Sequence, residues 1–226
     1  MNKHLSVFSD PVFRRRLLMS VAGVLICGLS VGLFKRAAFG VDPFQSMMSG
    51  LDAVIPIPFG TLYMIVCAVF LIFSLVFDRS KIGIATFINL FLLGYVAEFS
   101  LGLLTKLFPA PSVLLRAVFL VLGIVIMCFS ASLYFTADLG VSVYDAIALI
   151  LSEKQSRIPF RVLRIMADFI CVLIGVLLCL AAGFSWQKIF ASVGIGTIIT
   201  AFFMGPLIDL FCRRIAQPFL DKARMD

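Results

Sequence analysis

The chain has 226 residues, of which 62% are hydrophobic and only 14% are charged, and its mean hydropathy is +1.13. Soluble domains carry about 25% charged residues, so this composition argues against a water-soluble fold and predicts an integral membrane protein. The formal net charge of +7 requires no nucleic-acid partner, because the basic residues follow the positive-inside rule of membrane proteins.

The amino-terminal segment "MNKHLSVFSDPVFRRRLLMS" places basic residues ahead of an apolar run, as a secretory signal peptide does. No A-x-A-like cleavage site follows it, and five more apolar runs do, so we interpret it as the start of the first spanning helix. Ser9, Asp10 and Pro11 are typical of a helix cap followed by a first-turn proline. They predict that this helix begins before its membrane part.

Apolar runs then recur along the whole chain, and each is close to the roughly 20 residues that a spanning helix needs. The runs are 17–34, 61–77, 82–104, 117–137, 158–184 and 189–211. Barrel strands would be about 10 residues long and would alternate polar with apolar residues. The fold class is therefore predicted as all-α, a polytopic bundle of six spanning helices with two short broken or re-entrant helices. An eight-span alternative would need residues 42–55 to cross, but as a helix they reach only about 21 Å of a roughly 30 Å core.

The basic residues predict the orientation of the bundle. With six spans and a cytoplasmic start, 14 of the 19 Lys and Arg residues fall on the inside and 5 on the outside. The outer five are Lys35, Arg36, Lys106, Arg116 and Lys188. The positive-inside rule then places both termini in the cytoplasm.

The two halves of the chain resemble each other. A shift of 100 residues aligns several glycines and serines, and "GIATFINLFLLGYVAEF" from Gly83 matches "GIGTIITAFFMGPLIDL" from Gly194. The aligned pairs include Gly23 with Gly123, Ser30 with Ser130, and Gly40 with Gly140. We interpret residues 12–106 and 112–213 as two repeats of a single membrane domain over 1–226, with short cytoplasmic tails at 1–11 and 214–226. Three spans in each half predict that the second repeat is inverted, a plan common among secondary transporters.

Each repeat contains one polar interruption, "FGVDPFQ" at 39–45 and "LGVSVYD" at 139–145. Asp42 precedes a proline and lies three residues before Gln45, as in a capping box, and Ser142 and Asp145 repeat that spacing. Both interruptions therefore predict helix starts. Side-chain caps satisfy the free N–H groups in one interpretation. In the other, two short helices point their positive ends into a cavity that holds a polar or anionic solute. Gln45, Ser49 and Asp52 share the polar face of the first short helix.

A charged cluster lies in the fifth span. Asp168 is about ten residues into that span, where an acid costs roughly 2.5–3.5 kcal/mol to insert. Arg164 and Arg161, four and seven residues earlier, lie close to the same helical face. Either Arg164 pairs with Asp168, or the arginines bind an anionic group and Asp168 orients them or holds a proton or cation. Asn89, inside the third span, needs a hydrogen-bond partner and is placed at the same cavity. The candidate substrate-binding residues are Asp42, Gln45, Ser49, Asp52, Asn89, Ser142, Asp145, Arg161, Arg164 and Asp168.

Enzymatic motifs are missing from the sequence. The only histidine is His4, and no H-E-x-x-H, G-x-S-x-G, glycine-rich phosphate loop or C-x-x-C occurs. The six cysteines lie in or at the ends of apolar runs and are interpreted as small hydrophobic residues. We therefore predict no metal, no cofactor and no enzymatic activity, although chemistry that uses aspartates alone, such as Asp145 with Asp168, stays open.

Several motifs together resemble those of the YczE/YyaS/YitT group of bacterial integral membrane proteins, and of its YczE branch especially. They are "GVDPF", "FGT", "KIGIATFINLFLLG", the R-x-x-R-x-x-x-D of Arg161, Arg164 and Asp168, and "GIGTIITAFFMGP". The resemblance covers the chain from about Gly23 to Asp209. It implies a multi-pass protein of the bacterial cytoplasmic membrane with internal repeats, and it supplies no substrate.

Four functions are compatible with these features. The first is transport of a small polar or anionic solute, with a coupling ion, at a central site between the repeats. The second is a non-transporting scaffold or regulator of a partner protein. The third is a substrate-binding subunit of a multi-part transporter, and the fourth is an intramembrane enzyme. The lipid bilayer is the one partner that every alternative shares, and a homo-oligomer is compatible with all of them.

Overall fold

The computed structural model describes residues 10–155 and 160–225, without the side chains of 160–161 and 223–225. The described part is helical and contains no strand. Its α-helices are α1 (Pro11–Ala37), α2 (Pro43–Val54), α3 (Phe59–Phe77), α4 (Ile84–Leu107), α5 (Val113–Ala137), α6 (Val143–Lys154), α7 (Phe160–Ala181), α8 (Trp186–Ser192), α9 (Ile195–Phe211) and α10 (Gln217–Met225). A 3₁₀ turn, Arg79–Lys81, precedes α4, and a π segment, Cys212–Ala216, joins α9 to α10.

Six helical segments of the described part are long and apolar enough to cross a membrane, as the hydropathy pattern predicts. They are α1, α3, α4, α5, the part of α7 from Val162, and the broken stretch from Trp186 to Lys222 that contains α8, α9 and the first part of α10. The remaining two helices, α2 and α6, have 12 residues each. At 1.5 Å per residue they reach about 18 Å, which is short of a membrane core. The chain is a multi-pass membrane protein of the predicted all-α class.

The two ends of the described chain pack against each other. Asp10 caps α1 by accepting a hydrogen bond from Val12 N at 3.0 Å, and Pro11 occupies the first turn, as predicted. The helix α10 lies within residues 214–226, the segment predicted as a short cytoplasmic tail. Arg15 of α1 donates to the carbonyl of Phe219 at 2.9 Å, and its guanidinium lies 5.0 Å from the Phe219 ring centroid. The carboxyl end is therefore attached to the first helix.

The connections before α2 and α6 share one backbone conformation. Ala38 and Asp138 have φ of 52° and 50°, and Gly40 and Gly140 have φ of 101° and 110°. The positive φ of Gly40 and Gly140 is a backbone conformation that favours glycine. Two segments that align at a shift of 100 residues thus make the same turn.

Each of these connections bonds to a helix start in the other half of the chain. The carbonyl of Phe39 accepts from Gly196 N at 2.7 Å, at the start of α9. The carbonyl of Leu139 accepts from Ala85 N at 2.9 Å, at the start of α4. The backbone groups that the broken helices leave free are satisfied across the two halves.

The helices also pack across the halves. The short helix α2 lies against α7, and the short helix α6 lies against α3, while α1 packs on both α4 and α5. The contact of α2 with α7 is close, because a Cβ on Gly175 would come within 2.5 Å of the Ser46 carbonyl oxygen. This arrangement brings the starts of α2 and α6 together at the centre of the bundle.

Candidate functional site

A cavity of about 390 Å³ lies where α2 and α6 begin. Residues of both halves line it, and the set includes most of the polar residues that the sequence singled out. Seven of the ten predicted site residues line this cavity: Asp42, Gln45, Asn89, Ser142, Asp145, Arg164 and Asp168. The structure therefore brings together side chains that are up to 126 positions apart in the sequence.

The start of α2 places an acid and an amide at the cavity. Asp42 caps the helix, and its carboxylate accepts a hydrogen bond from Gln45 N at 3.1 Å. The side chain of Gln45 is only 4% exposed, and its Oε1 has no hydrogen-bond partner among the described residues. The predicted capping box is thus half formed, because the Gln45 carbonyl does not bond back to the cap. Asp42 lies in the connection outside the six spanning helices, and burial raises the pKa of its carboxyl.

The start of α6 is capped in a related way. Ser142 Oγ accepts from Asp145 N at 3.1 Å, and the same hydroxyl donates to Asp145 Oδ2 at 2.6 Å. The Asp145 carboxylate thus bonds to the Ser142 hydroxyl and not to the Ser142 backbone N–H, so the reciprocal bond of a capping box is not formed at α6 either. The cap directs the other oxygen of Asp145 towards α7.

One arginine joins two carboxylates at this point. Arg164 Nε lies 3.2 Å from Asp168 Oδ1, which confirms the pair predicted from their spacing of four residues. Arg164 Nη1 also contacts Asp145 Oδ1 of α6. Tyr144 donates to Asp168 Oδ1 at 2.6 Å, and its ring centroid is 4.3 Å from the guanidinium carbon of Arg164. The exposed side-chain fractions are 31% for Arg164, 19% for Asp145 and 14% for Asp168, so the cluster is largely shielded.

Aromatic rings form another part of the wall. Phe44 and Tyr144, which align at a shift of 100 residues, stack with their centroids 4.9 Å apart and an interplanar angle of 28°. Tyr63 meets Phe44 edge to face at 5.8 Å, and its hydroxyl donates to Asn89 Oδ1 at 3.1 Å. The Asn89 side chain thus has the partner that its place in an apolar helix required. The sequence reasoning missed these three rings as cavity residues, although the repeat position of Phe44 and Tyr144 was a usable signal.

The remaining predicted residues lie elsewhere. Ser49 and Asp52 are absent from the lining of the cavity, and Asp52 is exposed towards the other end of α2. The polar face of α2 therefore contributes only Gln45 to the cavity. The side chain of Arg161 lies outside the described residues. Within the described ranges, no group of three or more His, Cys, Asp or Glu side chains is placed to hold a metal ion.

Comparison with known proteins places this architecture in a family. Residues 14–213 match the family described as "Family of unknown function (DUF6198)". An "Uncharacterized protein" of Haemophilus influenzae is 25% identical over 194 residues, which covers 85% of this chain and 81% of that protein. The "Uncharacterized protein YyaS" of Bacillus subtilis is 24% identical over 203 residues, covering 89% of this chain and 94% of that protein.

No solved structure matches the chain. The name YyaS is one of the three in the group that the motifs resemble, while assignment to the YczE branch stays a prediction. The match to the family spans nearly the whole described helical bundle. The chain therefore belongs to the DUF6198 family.

Proposed function

We propose that this protein transports a small polar solute, which binds in the cavity where α2 and α6 begin. The observation that carries the proposal is that two sequence-related helix starts, one from each half, face a single cavity with a shielded charged cluster. Secondary transporters bind solutes at such sites, where broken helices from two repeats meet.

The chain is, in this proposal, an inverted repeat. The matched φ angles of the connections at 38–40 and 138–140 support it. So do the reciprocal hydrogen bonds, from the first connection to the start of α9 and from the second to the start of α4. A pseudo-symmetric pair of halves gives the two alternating arrangements that transport needs, because one half can rock against the other around a fixed site.

The cavity has the size and chemistry of a solute site. Its volume of about 390 Å³ falls within the roughly 300–1,000 Å³ of small-molecule pockets. Ionisable residues inside membrane helices are costly and usually mark a solute or ion pathway. Gln45 adds a buried oxygen without a partner, and such groups are rare unless a ligand or water satisfies them.

The protein acts, in this proposal, in the bacterial cytoplasmic membrane with both termini in the cytoplasm. The excess of basic residues in the predicted inner segments supports this orientation. Reporter fusions to the connection 108–112, expected outside, and to 78–83, expected inside, test it. A cytoplasmic signal at 108–112 would overturn the orientation.

The test of transport uses the full chain purified in detergent and reconstituted into liposomes. A panel of amino acids, nucleosides, amines and organic acids is first screened for thermal stabilisation, because a ligand at 100 times its Kd stabilises by about 2.7 kcal/mol. Each compound that stabilises is then assayed for counterflow in proteoliposomes. We expect at least one to exchange across the membrane.

Two variants and one control sharpen this experiment. Asp168→Asn and Arg164→Ala, in the charged cluster, are expected to abolish exchange. Asp209→Asn removes an exposed acid that pairs with Arg213 away from the cavity, and exchange is expected to persist. Stabilisation without exchange would instead favour a binding subunit that needs a partner machine. If no compound of the panel stabilises the protein or exchanges across the membrane, transport is contradicted. A scaffold or regulator of a partner protein is then favoured.

A further inference from the structure

We infer that the cavity takes a small organic cation, a protonated amine with a compact carbon body, rather than an anion. This inference rests on the proposed function, since it names the class of solute for the same site. Sequence spacing alone left open whether the arginines bind an anionic group or Arg164 pairs with Asp168. The contacts of the cavity residues favour the pair and argue against the anion.

The first reason is the charge of the cavity wall. Among the described residues, the charged side chains that line it are Asp42, Asp145, Asp168 and Arg164, which are three acids and one base. In surroundings of low polarity, an excess of negative charge in the wall strongly disfavours the binding of an anionic solute. A cation would instead reduce the net charge of the wall.

The second reason is that the arginine is already occupied. Arg164 contacts Asp145 and Asp168 on two sides, and its guanidinium carbon lies 4.3 Å from the ring centroid of Tyr144. An incoming anion would share the single positive charge of Arg164 with two carboxylates and would be repelled by both. Displacing either carboxylate would leave a shielded acid unpaired, which is strongly unfavourable.

The third reason is that the start of α2 leaves hydrogen-bond acceptors for a ligand. The hydroxyl of Tyr134, which also lines the cavity and has no partner among the described residues, can accept as well as donate. Gln45 Oε1 is buried and has no donor among the described residues. Asp42 receives the backbone N–H of Gln45 but forms no ion pair with any described residue. Both oxygens belong to the start of α2 and line the same cavity. A protonated amine supplies the N–H donors that they need.

The helix starts do not restore an anion site. The N–H groups that would bind an anion are partly used by the caps, at α2 by Asp42 and at α6 by Ser142. Each cap presents oxygen atoms, and at α2 the cap is itself negatively charged when ionised. The rings of Phe44 and Tyr63 line the same cavity, and aromatic faces favour cations.

The test compares solutes that share a carbon body and differ in charge. Propylamine, propionamide and propionate are titrated against the purified full chain at pH 7 and constant ionic strength, with thermal unfolding as the readout. We expect propylamine, which is protonated at this pH, to stabilise the protein. Its apparent Kd should be lower than that of propionate by about tenfold or more, as one charge-assisted hydrogen bond gives. Tetramethylammonium, which has no N–H, is expected to bind more weakly than propylamine.

Variants assign the effect to the start of α2. Asp42→Asn keeps a good helix cap and removes the charge, and Gln45→Leu removes the unpartnered oxygen. Both are expected to raise the Kd of propylamine by about tenfold, whereas Asp209→Asn is expected to leave it unchanged. The comparison of the three solutes on the unmodified protein does not depend on whether a variant folds.

The outcomes separate the two proposals. Stabilisation by propionate or propionamide but not by propylamine would overturn the cation inference while leaving a solute site, and hence the proposed function, in place. Failure of all three solutes would overturn the inference. If, in addition, no compound of the wider panel stabilises the protein or exchanges across the membrane, the proposed transport function is overturned too.

Discussion

Replacement of Gly40 by alanine is expected to destabilise the protein strongly. Gly40 has φ of 101°, in the connection between α1 and α2. A Cβ at this position would lie 2.5 Å from Gly194 N and 2.7 Å from Thr197 Oγ1, at the start of α9. Backbone cannot move aside as a flexible side chain does, so the connection itself would have to shift.

The magnitude follows from two contributions. A positive φ costs a residue with a Cβ about 1–2 kcal/mol. The shift would also weaken two hydrogen bonds across the halves, from Gly40 N to Ala191 O at 3.2 Å and from Gly196 N to Phe39 O at 2.7 Å. Each contributes about 1 kcal/mol, so the expected loss is roughly 3 kcal/mol. For a chain of this size that loss lowers Tm by about 6–12 °C.

Thermal unfolding in detergent measures the effect, and two further glycines complete the experiment. Gly140→Ala is the matched test in the second half, since Gly140 has φ of 110° and its Cβ would lie 2.5 Å from Gly83 N. Gly102→Ala is the control, because Gly102 is inside α4 and its Cβ would meet no atom within 4 Å. Alanine there is expected to raise stability by about 0.5–1 kcal/mol.

A Tm for Gly40→Ala within the error of the unmodified protein would refute the reasoning, because the close approach to α9 would then be unnecessary. A loss at Gly40 without a comparable loss at Gly140 would refute the equivalence of the two connections. A loss at Gly102 equal to the other two would show that helical glycines in general are sensitive, and that the connections are not special.

Three further predictions concern the cavity. Arg164→Met leaves Asp145 and Asp168 unpaired and is expected to cost about 2–4 kcal/mol in thermal unfolding; changing both acids to asparagine in the same chain should recover much of the loss, and an unchanged midpoint for Arg164→Met would contradict the role of the pair. Ser142→Ala removes the cap of α6 and should cost about 1 kcal/mol, whereas Ser142→Asn should retain most of it; equal losses would contradict capping. Because burial raises the pKa of Asp42, the folded state binds its proton more tightly than the unfolded state, so stability should fall as pH rises from near 4 through the raised pKa. Asp42→Asn should remove most of this fall in Tm with rising pH. If the variant shows the same fall, groups other than Asp42 cause it.

The spans and helix starts could be predicted because their causes are local. Hydropathy over about 20 residues decides whether a helix can cross a membrane, and six such segments are present. A cap depends on residues within one turn, which is why Asp42 and Ser142 were recognised before their helices were seen. The Arg164–Asp168 pair could be predicted for the same reason, since one turn of α7 separates the two side chains.

Contacts between helices could not be predicted in the same way. The pairing of Arg164 with Asp145 depends on how α7 lies against α6, and sequence periodicity does not give the rotation of one helix relative to another. The same limit explains Asp52, which shares a helical face with Gln45 but lies about two turns further along α2, beyond the cavity. Gln45 had the spacing of a capping box, yet tertiary packing buries its side chain away from the cap.

The polar groups of the cavity are divided between the two halves of the chain. The free acceptors, Asp42 and Gln45, belong to α2 in the first half, while the charged cluster belongs to α6 and α7 in the second half. Yet α2 packs on α7 so closely that a Cβ on Gly50 would come 2.7 Å from Gly175 O. The acceptors of α2 and the charged cluster of α7 are therefore held against each other by close packing. Because α2 and α7 come from different halves, it is contacts between the halves that assemble this side of the cavity.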